Sequence, residues 1–263
     1  MTEPPPTREN PVAAWMRDLK IAMIFFTRVP VAYDGALGLS ELKRAWRAVP
    51  LVGSVIGAVG AGAYAAAWHA GLPPGLSALL AVLATALLTG ALHEDGLSDF
   101  VDGCGGGHDR DQRLAIMRDS RIGAYGVLAL IFSVALRVGA LAAIATPYAA
   151  MLALIAVHAV SRATVPVAIW RLDPARGDGL AADAGKPTRL TLALTLALAA
   201  VIALGLLGPV RGLAALAAGM LGCLAIAAVA RRLVGGYTGD VLGAVQQAAE
   251  IAILLTLAAL LHI

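Results

Sequence analysis

Charge is scarce in this chain. Only 14% of its 263 residues are Asp, Glu, Lys or Arg, against about 25% in a typical soluble domain. With 59% hydrophobic residues and a mean hydropathy of +0.80, an ordinary water-soluble globule is excluded, and so is a disordered chain, which stays solvated only when apolar residues are few. Cysteine is nearly absent: Cys104 lies in a polar segment and Cys223 in an apolar run, far apart, so a disulfide framework, a metal knuckle and a redox pair all lack their spacing. Aromatics make up only 5%, and the net charge of +3 is too small to point to nucleic acid. A cleavable secretory leader is not expected either. Residues 1–10 are polar and Pro-rich, and the first apolar run is flanked by charge with no small-residue cleavage site behind it.

What remains is an all-α, polytopic membrane protein. A helix needs about 20 mostly apolar residues to cross the hydrocarbon core, and seven stretches qualify: residues 50–70, 76–92, 123–145, 148–170, 190–208, 212–230 and 241–262. Leu72-Pro73-Pro74-Gly75, Pro147 and Gly208-Pro209 read as tight hairpins between them. Residues 15–31, which hold Arg17, Asp18 and Lys20, read as an additional helix lying at the interface or partly inserted. Residues 1–14 read as a flexible tail on a single domain of residues 1–263. Threading seven crossings from a cytoplasmic N-terminus puts every Lys and Arg except Arg137, Arg162 and Arg211 on the inner side, as basic-residue retention requires. Plentiful Ala and Gly suit close helix packing in lipid.

The polar residues are concentrated. Residues 93–122, expected on the cytoplasmic side, hold Glu94, Asp95, Asp99, Asp102, Asp109, Asp111 and Asp119 among 17 acids. Asp95, Asp99 and Asp102 follow an i, i+4, i+7 pattern, one face of a helix. Such a face is either a solvated acidic helix end or a seat for a hard cation; Mg2+ takes carboxylate oxygens together with water and phosphate. Glu94 points about 100° away from that face and is a candidate supporting acid; His93 is a candidate base or an interfacial histidine. The glycines of residues 103–107 permit a chain reversal, after which residues 110–118 would return Arg113, Asp119 and Arg121 towards the acids, with Ser120 as a helix N-cap. Arginine forks match diphosphate oxygens, although retention on the inner face also accounts for them. A second polar group, Asp240, Gln247 and Glu250, shares one arc of the last span. Glu250 lies about 15 Å beyond Asp240, where an acid either serves function or pairs with Arg137 or Arg162. Arg28 in FFTRVP either faces the same cavity or anchors the interface.

Taken together, FFTRVP at residues 25–30, PLVGSVIGA at 50–58, HEDGLSDFVDG at 93–103, RLAIMRDSRIGAYG at 113–126 and TGDVLGA at 238–244 resemble the cobalamin synthase (adenosylcobinamide-GDP ribazoletransferase) family. Ser98 and Phe100-Val101 depart from the commoner small residues and leave the acids intact. The resemblance implies a Mg2+-dependent transferase of the inner (cytoplasmic) membrane, acting in the nucleotide-loop step of cobalamin synthesis. Its substrates would be adenosylcobinamide-GDP and α-ribazole or its 5′-phosphate, and GMP would leave. On that basis Asp95, Asp99, Asp102 and Asp119 are expected to hold Mg2+, with Glu94 or one of these acids taking the hydroxyl proton. Arg28, Arg113, Arg121, Asp240, Gln247 and Glu250 are expected to face substrate. Oligomeric state, or association with other cobalamin-assembly enzymes, is left open. The rival readings are another diphosphate-donor membrane transferase, such as a CDP-alcohol phosphotransferase or a prenyltransferase, and a transporter.

Overall fold

A computed structural model describes residues 10–33, 39–144, 146–177 and 185–261. Among the described residues the regular elements are helices, apart from an isolated parallel bridge between Pro174 and Tyr237. They are α1 (Pro11–Phe26), α2 (Leu39–Ala45), a 3-10 turn (Trp46–Ala48), α3 (Val49–His69), α4 (Pro74–Thr89), α5 (Leu92–Gly106), α6 (Arg110–Ile116), α7 (Ala124–Ala143), α8 (Pro147–Arg171), α9 (Arg189–Leu233) and α10 (Gly239–Leu261). The chain is an all-helical, multi-pass membrane protein. Five helical runs are long and apolar enough to cross a membrane, or six with α4 and α5 taken as one bent span. Seven stretches were expected. The difference lies in α4, which has 16 residues, and in α9, whose 45 residues carry two of the expected stretches. At Gly208 (φ 75°, ψ 173°), just before Pro209, the backbone of α9 leaves the helical region. A Cβ at Gly212 would lie 2.9 Å from the Leu204 Cα, so the chain folds back there. The expected ends at positions 145 and 262 lie outside the described residues.

The first helix begins earlier than its hydropathy indicates. Asn10 caps it by accepting from the Val12 N–H at 2.9 Å, and Pro11 stands at its first position, a favoured start signal. It stops at Phe26 rather than running to residue 31. Residues 11–14 of the expected tail are therefore helical, and residues 1–9 lie outside the described residues. The charges that made this segment ambiguous are used internally. Asp18 is fully buried and accepts from Arg44 Nε at 3.0 Å and Arg47 Nε at 2.7 Å, and the Arg47 guanidinium lies over the Trp15 ring at 4.2 Å. Together these contacts fasten α1 to α2 and the 3-10 turn.

Small residues bring the long helices together. A Cβ at Gly57 of α3 would lie 2.6 Å from the Ile155 Cα of α8, and one at Gly222 of α9 would lie 2.8 Å from the Ala248 carbonyl carbon of α10. Such backbone-to-backbone approach supplies dispersion contact where no hydrophobic effect acts between helices. Between α4 and α5 the chain turns by 90° through Gly90 (φ 64°) and Ala91 (φ 56°), both left-handed. This bend leads α5 against α10 and α7.

Gly57→Val is expected to lower stability by about 1–3 kcal/mol through overpacking, seen as a lower melting temperature in detergent. Gly62→Val, where a Cβ meets nothing within 4 Å, should leave the melting temperature unchanged. Equal melting temperatures for the two variants would contradict the close α3–α8 contact.

Candidate active site

The expected acidic helix is α5, and a buried charge cluster fixes its rotation. Arg137 of α7, only 1% exposed, donates through Nη1 to Glu94 Oε1 at 3.0 Å and to Glu250 Oε1 of α10 at 3.2 Å. Gln246 Nε2 donates to Glu250 Oε2 at 2.7 Å and to Ser161 Oγ of α8 at 3.1 Å. Gln247 Nε2 reaches Glu94 Oε1 at 3.3 Å, while its own carbonyl accepts from Ser133 Oγ at 2.8 Å. His158 Nδ1 lies 3.5 Å from Glu250 and 2.7 Å from Arg162 Nη1. Of the two partners considered for Glu250, the structure selects Arg137 for the direct pair. Glu250 and Gln247 are thus bound into the interior of the bundle.

With Glu94 turned inward, the next residues face outward. Asp95 is exposed and Asp99 half-buried, one turn apart on the same face. Asp99 lies outside the five membrane-length helices. Desolvation first, then the like charges of Asp95, Asp240 and Asp102, push its carboxyl up to about 6. Asp240, in the first turn of α10, joins these acids because Gly96 and Gly243 let the backbones meet: a Cβ on Gly96 would lie 3.1 Å from the Asp240 Cα. Its carboxylate accepts from Thr238 Oγ1 at 3.0 Å and lies 3.5 Å from Arg176 Nη2.

The third acid of the α5 face does something the spacing did not reveal. Asp102 is buried, and its two oxygens accept from the backbone N–H groups of Gly123 (2.7 Å) and Gly126 (2.8 Å). It caps α7 from outside that helix. Gly123, not Ser120, is the N-cap residue, and Asp102 takes up its N–H together with that of Gly126, one of the free donors of the first turn. The glycine run also corrects expectation. The helix continues through Gly106, and the chain turns at Gly107. Gly103 and Gly107 admit α6, since a Cβ on Gly103 would lie 2.9 Å from the Arg113 carbonyl oxygen.

The loop residues do not join the α5 acids. Asp119 is gripped by Arg121, with Nη2 to Oδ2 at 2.6 Å and Nε to Oδ1 at 3.1 Å, and this pairing holds its carboxyl down at about 2. Arg121 points into solvent, with a side chain 87% exposed. Arg113 Nη1 donates to the Leu233 carbonyl at 3.4 Å, near the end of α9. Arg28 is exposed and lines a shallow depression with Thr27, Pro30 and Tyr33. Among the described residues no three His, Cys, Asp or Glu side chains converge to hold a metal ion. The expected set of Asp95, Asp99, Asp102 and Asp119 is therefore divided between an acidic face, a helix cap and a surface ion pair.

Beside the acidic face lies a cavity of about 150 Å3, between the end of α1, the 3-10 turn and the starts of α5 and α10. Asp95, Asp240 and His93 line it together with Phe25, Phe26 and Trp46. Phe26 stacks on the His93 ring (5.7 Å between centroids, 8° between planes), and Trp46 meets Phe26 edge-on at 5.9 Å. Trp46 carries no spacing signal, and it reaches the site only through the packing of the 3-10 turn; its one sequence mark is the rarity of tryptophan, with four in the chain.

The chain is thus an all-helical membrane bundle with carboxylates grouped beside an aromatic-lined cavity. Sequence comparison makes this specific: residues 18–258 match the Cobalamin-5-phosphate synthase family, and the chain belongs to that family. Its relatives include proteins named adenosylcobinamide-GDP ribazoletransferase. The one from Bradyrhizobium diazoefficiens is 48% identical, covering 92% of this chain and 93% of the relative. That from Azorhizobium caulinodans is 45% identical, covering 91% and 94%, and that from Mesorhizobium japonicum 44% identical, covering 90% and 91%. No solved structure matches the chain at a significant level.

Replacing Asp102 with Ala removes an external cap, and about 1–2 kcal/mol of stability should go with it. Asp99→Asn removes a like-charge contact and should leave the melting temperature equal or higher. An Asp102→Ala protein that melts with the parent would show that the α7 cap carries no weight.

Proposed function

We propose that the chain is an adenosylcobinamide-GDP ribazoletransferase. It joins adenosylcobinamide-GDP to α-ribazole or its 5′-phosphate, releases GMP, and so closes the nucleotide loop of cobalamin. The observation that carries the reading is the outward acidic face of Asp95 and Asp99 beside the aromatic cavity, in a chain that matches its family over residues 18–258. Family membership favours this transferase over a CDP-alcohol phosphotransferase, a prenyltransferase or a transporter.

A ribose hydroxyl of the acceptor attacks the cobinamide-side phosphorus. The new P–O bond forms as the P–O bond to GMP breaks, and the hydroxyl proton passes to a carboxylate at the cavity rim, where Asp95 and Asp240 stand. Reactions of this kind depend mainly on positioning and on stabilising charge at the phosphoryl oxygens. The residues fit a Mg2+ ion shared between one or two carboxylates and substrate phosphate, its usual habit, and they do not fit a closed four-carboxylate cage. Asp95 and Asp99 are the pair that would hold it, with Asp240 adding negative charge nearby; Asp102 and Asp119 are engaged elsewhere. The crowding of like charge around Asp99 supports a cation as the missing partner. Bound there, Mg2+ would neutralise the diphosphate. Glu94 serves by locking α5 in rotation through Arg137. Arg113, Arg121 and Arg28 lie outside the cavity lining, and a role for them requires the long diphosphate substrate to extend beyond it.

The basic residues support an inner-membrane protein with its N-terminus and acidic face in the cytoplasm, where nucleotide substrates are made.

Purified protein reconstituted in lipid with adenosylcobinamide-GDP, α-ribazole and Mg2+ should form adenosylcobalamin and GMP in equal amounts. Asp95→Asn and Asp99→Asn should each lose about 100-fold or more in turnover while remaining folded. Chelation should stop the reaction, and added Mg2+ should restore it. Absence of GMP release by the parent protein would overturn the function. Full activity of Asp99→Asn would remove that residue from the site.

A further inference from the structure

The cavity beside the acids has a composition the mechanism has not yet used. Two of its lining residues leave a ring nitrogen without a partner: Trp46 Nε1 and His93 Nε2. Both side chains are almost completely buried, Trp46 at 2% and His93 at 3% exposure. A buried polar group that lacks a hydrogen bond costs about 1–3 kcal/mol, so two in one cavity, among rings, point to a ligand that satisfies them. The lining also includes the apolar side chains of Phe25, Phe26, Leu92, Val165 and Leu242 and the carboxylates of Asp95 and Asp240. Apolar cavities of about 150 Å3 accept an aromatic ring, and three aromatic side chains meeting at steep or parallel angles form walls for a flat one.

We propose that this cavity seats the benzimidazole base of the ribazole acceptor, with Trp46 or His93 donating to its free ring nitrogen and Phe25 and Phe26 forming part of the wall around it. The inference rests on the transferase reading above and assigns the acceptor subsite within it. Once its other nitrogen bears ribose, a benzimidazole keeps one acceptor and an otherwise apolar bicycle. Trp46 Nε1–H is a donor only, and a neutral His93 offers a donor or an acceptor. The single ring acceptor needs one donor, and Trp46 Nε1–H or a protonated His93 Nε2 supplies it. The guanine of the donor is not: its edge carries several donors and acceptors, and most would stay unpaired against Val165, Leu242 and the phenylalanines. A base seated here also places its ribose at the side where Asp95 and Asp240 stand, so the attacking hydroxyl arrives beside the carboxylates.

The test is the separation of Michaelis constants for the two substrates, using full-length protein in lipid. Trp46→Phe keeps an aromatic wall and removes the donor; His93→Phe keeps the stack on Phe26 and removes both nitrogens. At least one of them should raise the KM for α-ribazole about tenfold, the scale of one hydrogen bond. The KM for adenosylcobinamide-GDP should stay within twofold, kcat should fall little, and the melting temperature should be unchanged. Two variants are used so that poor folding of one leaves the other informative. Val165→Trp, which fills the cavity, should raise the α-ribazole KM further. A rise confined to the adenosylcobinamide-GDP KM would place guanine in the cavity and overturn the assignment, as would wild-type constants for both variants. Either result leaves GMP release by the parent protein intact, so loss of this subsite is distinguishable from loss of the proposed function.

Discussion

The site depends on the ionic contact between Arg137 and the two glutamates, Glu94 and Glu250. Burying charge costs several kcal/mol per ion unless each ion is paired and its remaining hydrogen bonds are satisfied. Here one guanidinium nitrogen serves both carboxylates and Gln246 and Gln247 supply further bonds, while Arg137 Nη2 and Glu94 Oε2 stay without a partner among the described residues. The contact joins α5, α7 and α10, three helices that are far apart in sequence. Because it holds Glu94 on the inner side of α5, the neighbouring residue sits about 100° round the helix. The outward aim of Asp95 and Asp99 follows from that rotation. Glu250, an intramembrane acid open between function and pairing in the sequence, is here paired with Arg137 behind the acidic face.

The acidic face and the aromatic cavity arise from one packing event. Gly96 and Gly243 remove the side chains that would separate α5 from α10, and the resulting contact brings Asp240 to the α5 carboxylates and closes one wall of the cavity. The opposite walls come from the end of α1 and from the 3-10 turn, which the buried Asp18 ties together. Charged anchors thus hold the two sides of the site from behind. The residues facing the cavity itself are apolar, unpaired, or like-charged.

Sequence reasoning reached what is local. The helical class, the run of acids along α5 and the Pro/Gly breaks at Pro73-Pro74 and Gly208-Pro209 depend on periodicity and backbone chemistry within a few residues, and these are found in place, whereas five or six spans stand where seven were expected. The choice of Arg137 for Glu250 was open between two arginines, since pairing across 113 residues has no local mark. The contacts that Asp102 and Arg113 make have no local mark for the same reason. A cap accepted from residues 21 and 24 positions away, and a guanidinium resting on a carbonyl 120 positions away, look in sequence like a metal ligand and a phosphate clamp. Trp46 went unnoticed because an isolated tryptophan in an amphipathic stretch shows no spacing.

The joint between α4 and α5 sets a limit on how the molecule tolerates its surroundings. Ala91 is held at φ 56°, a conformation that disfavours a residue with a Cβ, by its N–H bond to the Ala86 carbonyl at 2.8 Å and by the packing of α5 on α10 and α7. Any amphiphile that loosens this packing lets α5 swing about the joint while α3, α8 and α9 remain assembled. The carboxylates would then part from the cavity before the helical content changes. Competence and foldedness are therefore separate properties of this chain once it leaves the bilayer, and far-ultraviolet dichroism reports only the second.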